Sequence, residues 1–155
     1  MKKYELTDET KVVCGHTLHR IKAIVDFAFV KKDEIGGWIE TEDNLAQDGN
    51  AWVSGNAWVY GNARVYGNAW VYGNAEVSGN ARVYGNGDYI VFKNCWSSFR
   101  WFTYTRSNKM WAVGCFYGTG EELIKKAYAD SEQSGKCYEA IVRAVEAIEA
   151  ATADK

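Results

Sequence analysis

The chain contains no proline and only two histidines, His16 and His19. Without proline, tight turns must be built from residues that reach positive φ by other means, chiefly glycine and asparagine. Two histidines and four scattered cysteines (Cys14, Cys95, Cys115 and Cys137, with no Cys-x-x-Cys pair) lack the usual ligand spacing of a zinc site. Neither a metal nor another cofactor is therefore expected, and the cysteines are read as free thiols of a reducing cytosol. No apolar run approaches a membrane span. The opening stretch MKKYELTDETK has no apolar signal core, so no secretory signal and a cytoplasmic location are expected. A formal net charge of −2 over 155 residues argues against bulk attraction to nucleic acid.

Aromatics and glycine are plentiful, with seven Trp, ten Tyr, six Phe and fifteen Gly. Much of this sits in seven consecutive hexads over residues 49–90: GNAWVS, GNAWVY, GNARVY, GNAWVY, GNAEVS, GNARVY and GNGDYI. A period of six is neither strand nor helix but marks a solenoid, whose repeats bury their apolar side only by stacking. Val53, Val59, Val65, Val71, Val77 and Val83 occupy one inward slot, and Ala57, Ala63, Ala69, Ala75 and Ala81 a second, tighter one. The Gly-Asn pairs supply the bends. This pattern resembles the left-handed parallel β-helix of hexapeptide-repeat proteins, in which three hexads make a triangular coil and coils stack about 4.8 Å apart.

The frame extends upstream with Ile35, Ile39 and Leu45 on inward positions, while Thr41 and Gln47 fit poorly, so the first coil is expected to be irregular. Three domains follow: an N-terminal β cap over 1–36, the β-helix over 37–90, and a small α+β domain over 91–155. Stacking n on n+18 sorts the outward residues into three faces. The first carries Trp52, Ser54, Trp70 and Tyr72; the second Trp58, Tyr60, Glu76 and Ser78; the third Arg64, Tyr66, Arg82 and Tyr84. So much aromatic surface calls for a subunit or domain interface. A homotrimer is the favoured assembly, with a dimer as the alternative.

The cap is expected to hold a strand over 17–27 and a turn at Lys31-Lys32-Asp33. Beyond the hexads, a strand over 88–92 precedes a hairpin of 99–106 and 110–117 around Ser107-Asn108-Lys109. Thr119 and Glu122 form a T-x-x-E capping box that opens a helix to about residue 129. A second helix over 134–151 buries Tyr138, Ile141, Val142, Val145 and Ile148.

This C-terminal domain carries the candidate ligand-binding residues. Arg100, Arg106 and Lys109 are cations interleaved with Trp101, Tyr104 and Trp111, so guanidinium groups could hold phosphate while rings stack a base. Thr119 and Gly120 offer backbone N–H groups at a helix start. A capped helix on an aromatic sheet, with arginines on the wet face, accounts for the same residues without a ligand. No Walker lysine and no G-x-G-x-x-G follow, so neither an NTPase nor a dinucleotide enzyme is indicated.

The segments LTDET, GGWIETEDNLAQDGNAWV, the VYGNA hexads and TRSNKMWAVGCFYGTGEELIKKAY resemble small hexapeptide-repeat proteins of phages and prophages, over nearly the whole chain. By analogy with viral sponges, the resemblance implies a non-enzymatic oligomer in the host cytoplasm. It would trap a phosphorylated signal such as a cyclic dinucleotide or ADP-ribose derivative. The alternative is a structural or protein-interaction module oligomerised by its β-helix. A third reading is an enzyme, an acyltransferase or a nucleotide-cleaving one, that depends on His16 or His19.

Overall fold

The computed structural model describes residues 2–153. An antiparallel hairpin of β1 (Tyr4–Val13) and β2 (His16–Ala23) leads into β3 (Ile35–Ile39) and a 3-10 turn at Glu42–Asn44. Six two-residue strands then mark the hexads: β4 (Trp52–Val53), β5 (Trp58–Val59), β6 (Arg64–Val65), β7 (Trp70–Val71), β8 (Glu76–Val77) and β9 (Arg82–Val83). A four-stranded antiparallel sheet follows, of β10 (Tyr89–Lys93), β11 (Trp101–Thr105), β12 (Met110–Val113) and β13 (Phe116–Gly118). Two helices end the chain, α1 (Gly120–Asp130) and α2 (Glu132–Thr152).

The hexads stack in parallel with an 18-residue repeat: Trp52 pairs with Trp70, Trp58 with Glu76, and Arg64 with Arg82. Their strands are so short that the coils hydrogen-bond as separate small sheets rather than one continuous wall. All six hexad valines are fully buried, and the five corner alanines are at most 1% exposed. Burying each valine contributes roughly 1.5–3 kcal/mol. The coil core is therefore mainly valine and alanine repeated, joined in the first coil by Ile39, Leu45 and Trp52.

The first coil differs from expectation in frame. Ile39 pairs with Val59 and Leu45 bridges to Val65, a spacing of 20 rather than 18 (59 − 39 and 65 − 45). Ile39 and Leu45 thus fill valine slots, and two extra residues enter before Val53. Thr41 and Gln47 fit poorly because they never occupy those slots. Thr41 caps the 3-10 turn, and Gln47 accepts the N–H groups of Lys3 and Tyr4. Ile35, expected inside, is 51% exposed.

The N-terminal segment, expected as a β cap, is hydrogen-bonded to the coils. β1, β2 and β3 join β5 and β8 in one five-stranded sheet, extending a coil face outward. The strand expected over 17–27 stops at Ala23, and β1, which the sequence reading did not place, pairs along it. The turn at Lys31-Lys32-Asp33 is present, with Asp33 at φ 73°.

The C-terminal sheet packs one face on the coils and the other on α1 and α2. The single strand expected over 110–117 is broken by a turn at Gly114-Cys115 into β12 and β13. The capping box holds: Thr119 Oγ1 accepts the Glu122 N–H, and Glu122 accepts the Thr119 N–H. Tyr138, Val142 and Val145 are buried as expected, whereas Ile148 is 44% exposed near the helix end.

The cysteine reading requires correction. Cys14 and Cys115 form a disulfide across a sequence separation of 101, leaving Cys95 and Cys137 free. Each bonded cysteine lies in a hairpin turn, and both turns sit at the edge of the same coil face. Sequence spacing alone could not reveal that meeting.

Candidate functional site

Between the β10–β11 loop, the β12–β13 turn and the two helices lies a hollow of about 400 Å3. Its loop is rigidly tied. Asn94 Oδ1 accepts the N–H groups of Trp96 and Ser97 at 3.0 and 2.9 Å, an Asx turn. Asn94 Nδ2 donates to Tyr138 Oη at 3.3 Å, and Trp96 Nε1 donates to Ser134 Oγ at 3.0 Å, both fastening the loop to α2. Phe99 then adopts φ 58°, a conformation that costs a bulky residue energy. The chain turns there, and Arg100 lines the hollow with Ser97, Ser98, Tyr138 and the Lys126–Asp130 pair, whose charged atoms are 3.6 Å apart.

Arg100 has no carboxylate within 4.0 Å among the described residues. Gly114 makes room for it: a Cβ there would collide with Arg100 Nη1, and the residue sits at φ 59°. Near the same turn is Glu76, 8% exposed, with Oε1 lacking any hydrogen-bond partner. Burial pushes its carboxyl up to about 8, while the positive field of Arg100 and the Gly114 N–H act in the opposite sense. The Glu76 N–H itself is satisfied by Thr103 Oγ1 at 2.8 Å, which pins β11 to the coils. A buried, proton-holding acid and an unpaired arginine thus share one seam.

The structure disperses the residues proposed from sequence. Arg100 alone lines the 400 Å3 hollow. Trp101, 38% exposed, lines another hollow, and the Lys93 ammonium lies 5.5 Å from its ring centre. Tyr104 and Trp111 are buried at 4% and 1% exposure, with ring centres 4.9 Å apart. Arg106 is committed elsewhere, its Nε donating to Glu149 Oε1 at 2.6 Å and its Nη2 to Thr152 Oγ1 at 2.9 Å. Thr119 spends its side chain and N–H on the capping box.

Tyr104, Lys109, Trp111 and Gly120 do meet around a hollow of about 280 Å3, but Glu146 and Glu149 line it too. Two acids against one lysine do not suit a phosphate. Burial would push Glu149 up, but the hydrogen bonds from Tyr104 and Arg106 hold it below the ordinary carboxylate range. The dispersion follows from strand geometry, because neighbouring side chains on β11 leave the sheet on opposite faces.

Ser97, Ser98, Lys126 and Tyr138 were missed. The one usable signal was the Asn94-x-x-Ser97 spacing of an Asx turn; their convergence with α1 and α2 is purely tertiary. His16 is set beside the coils, its Nδ1 2.9 Å from Glu40 Oε2 and its ring 4.5 Å from that of Tyr60. His19 Nδ1 lies 3.2 Å from the Thr7 carbonyl oxygen. Among the described residues, no three or more His, Cys, Asp and Glu side chains gather as a metal site. Likewise none of the described helices is long and apolar enough to cross a membrane.

Trp52 and the second face are covered from within, while Tyr72 and Tyr84 stay exposed. Trp52 is fully buried, edge-on to Tyr4 and Phe27. Trp58 lies under the Lys11 ammonium at 4.9 Å, and Tyr60, Glu76 and Ser78 are buried. These are domain interfaces within one chain.

The family model described as YdcK Beta solenoid repeat matches residues 57–73. The hexads are a β-solenoid repeat. The match falls inside the stretch where the 18-residue pairing is regular, and it leaves the two ends of the solenoid unassigned. No curated protein matches the chain.

Proposed function

We propose that this chain is a binding protein whose solenoid carries a groove for a small phosphorylated ligand. The observation that carries this reading is the Arg100 guanidinium, with no carboxylate within 4.0 Å among the described residues, set in a hollow with Ser97, Ser98 and Tyr138; Lys126 and Asp130, their charged atoms 3.6 Å apart, line it as well. A guanidinium offers two parallel donors to phosphate oxygens, and flanking hydroxyls add neutral donors. Phe116 and Val113 give the hollow an apolar wall on which a nucleobase can rest. The ligand class put forward is a nucleotide signal, a cyclic dinucleotide or ADP-ribose derivative, held without turnover to blunt a host defence. Of the sequence-derived residues, Arg100 keeps the leading role.

Two finer points belong to the same proposal. The coils wind left-handed, a reading supported by the positive φ of six of the seven hexad glycines, from 63° at Gly79 to 73° at Gly49. Self-association, first expected as a homotrimer, would use the third face, where Arg64, Arg82 and Tyr84 remain exposed.

Calorimetry with cyclic dinucleotides and ADP-ribose derivatives tests the function. One ligand should bind with submicromolar affinity and be recovered unchanged. Arg100→Gln should weaken it by about tenfold or more, while Arg106→Ala leaves it unaltered. Absence of binding throughout the panel, or full affinity in Arg100→Gln, overturns the reading.

A further inference from the structure

A second surface stands apart from the Arg100 groove. Two hollows of about 440 and 410 Å3 lie side by side on the first coil face, sharing Tyr72 and Asn86. Phe29 and Trp70 stand at one end, Tyr89 and Trp101 at the other. Phe29 is 87% exposed and Tyr72 59%, a concentration of open aromatic surface that a solvated wall does not need. Among the described residues no charged side chain lines either hollow, and the Lys93 ammonium lies 5.5 Å from the Trp101 ring centre.

The polar groups there are amides, and the repeat places them. Asn50, Asn68 and Asn86 are successive members of one 18-residue column, with Asn50 Nδ2 3.5 Å from Asn68 Oδ1. Asn86 Oδ1 accepts the Trp70 N–H at 2.9 Å, which orients the amide. Tyr89 Oη donates to the Trp70 carbonyl at 2.6 Å, so the floor of the strip is fixed before any ligand arrives.

We infer that this strip binds a neutral oligosaccharide. A pyranose ring has an apolar C–H face that rests on an aromatic ring, and an edge of vicinal hydroxyls that both donate and accept. An amide supplies the matching donor and acceptor pair. A column of amides repeated by the coils suits a ligand that itself repeats. The absence of charge argues against nucleotides and acidic glycans alike. A second copy of this chain is a poorer occupant, because a dry protein contact would bury the Asn74 amide and the Asn86 Nδ2 without new partners. Pockets of this size and largely apolar lining are ordinary for small ligands.

The test uses the intact protein with cello-, malto- and chito-oligosaccharides as probes, an oligogalacturonate as the charged control, and tryptophan fluorescence as readout. At least one neutral series should bind saturably and tighten with chain length, and the charged control should not bind. Tyr72→Ala and Trp101→Ala should each weaken binding by about tenfold, while Arg100→Gln leaves it unchanged. Both side chains lie at the surface, and an unaltered thermal melt verifies folding. No saturable neutral ligand, affinity indifferent to both substitutions, or self-association abolished by Tyr72→Ala each overturns the inference.

Discussion

Cys14 and Cys115 stand 101 residues apart in sequence and 5.5 Å apart between Cα atoms, joined by a disulfide. The bond ties the β1–β2 turn to the β12–β13 turn, so the two ends of the chain are held against the same coil face. Closing so long a loop restricts the unfolded chain, and such bonds typically contribute about 2–4 kcal/mol. Cys14→Ser or Cys115→Ser should lower the melting temperature, and added reductant should lower that of the wild type to the same value. A melt insensitive to reductant would contradict the pairing.

Glu76 predicts a pH dependence with a definite sign. The folded state holds its proton to about 8 against an ordinary 4.5, chiefly through burial. Above 4.5 the unfolded chain releases a proton that the folded chain keeps. The group's contribution is therefore fully favourable at low pH and declines as pH rises through the window from about 4.5 to 8. Glu76→Gln should remove that decline and be the more stable protein at the upper end. Denaturant unfolding of both across the window checks this; parallel slopes would refute it.

Lys3 closes the open end of the solenoid. Its Nζ donates to the carbonyls of Asp48, Gly49 and Ala51 at 3.4, 3.1 and 2.7 Å, and the residue is only 4% exposed. Lys3→Met keeps the stem but strands those carbonyls, at an expected cost of about 2–4 kcal/mol. Hydrogen exchange should then show the first coil opening ahead of the rest.

Gly114 and Gly73 form a matched pair. Both have positive φ, 59° and 67°, yet a Cβ meets the Arg100 guanidinium only at Gly114 and open space at Gly73. Alanine at either position should cost roughly 1–3 kcal/mol of backbone strain. Only Gly114→Ala should also weaken the phosphorylated ligand, because it displaces Arg100. Equal affinity in the two variants would separate Arg100 from the site.

The hexads were legible because their core is local and periodic: one valine per six residues is a pattern a single chain cannot hide. The capping box at Thr119 was legible for the same reason, being a contact across three residues. The first coil misled because two inserted residues shifted Ile39 and Leu45 into valine slots without altering the look of the sequence. The candidate site was poorly legible. Strand alternation sent Tyr104 inward and Trp101 outward, and the groove around Arg100 is assembled from four separate segments. Interleaved cations and aromatics suggested a pocket where the sheet in fact divides them.

The most direct measurement is arginine side-chain NMR during titration with the phosphorylated ligand that calorimetry selects. The Arg100 Nε–H resonance should shift to saturation, while those of Arg64, Arg82, Arg106 and Arg143 stay in place. An unmoved Arg100 at saturating ligand, or a shift centred on Arg106, would contradict the account.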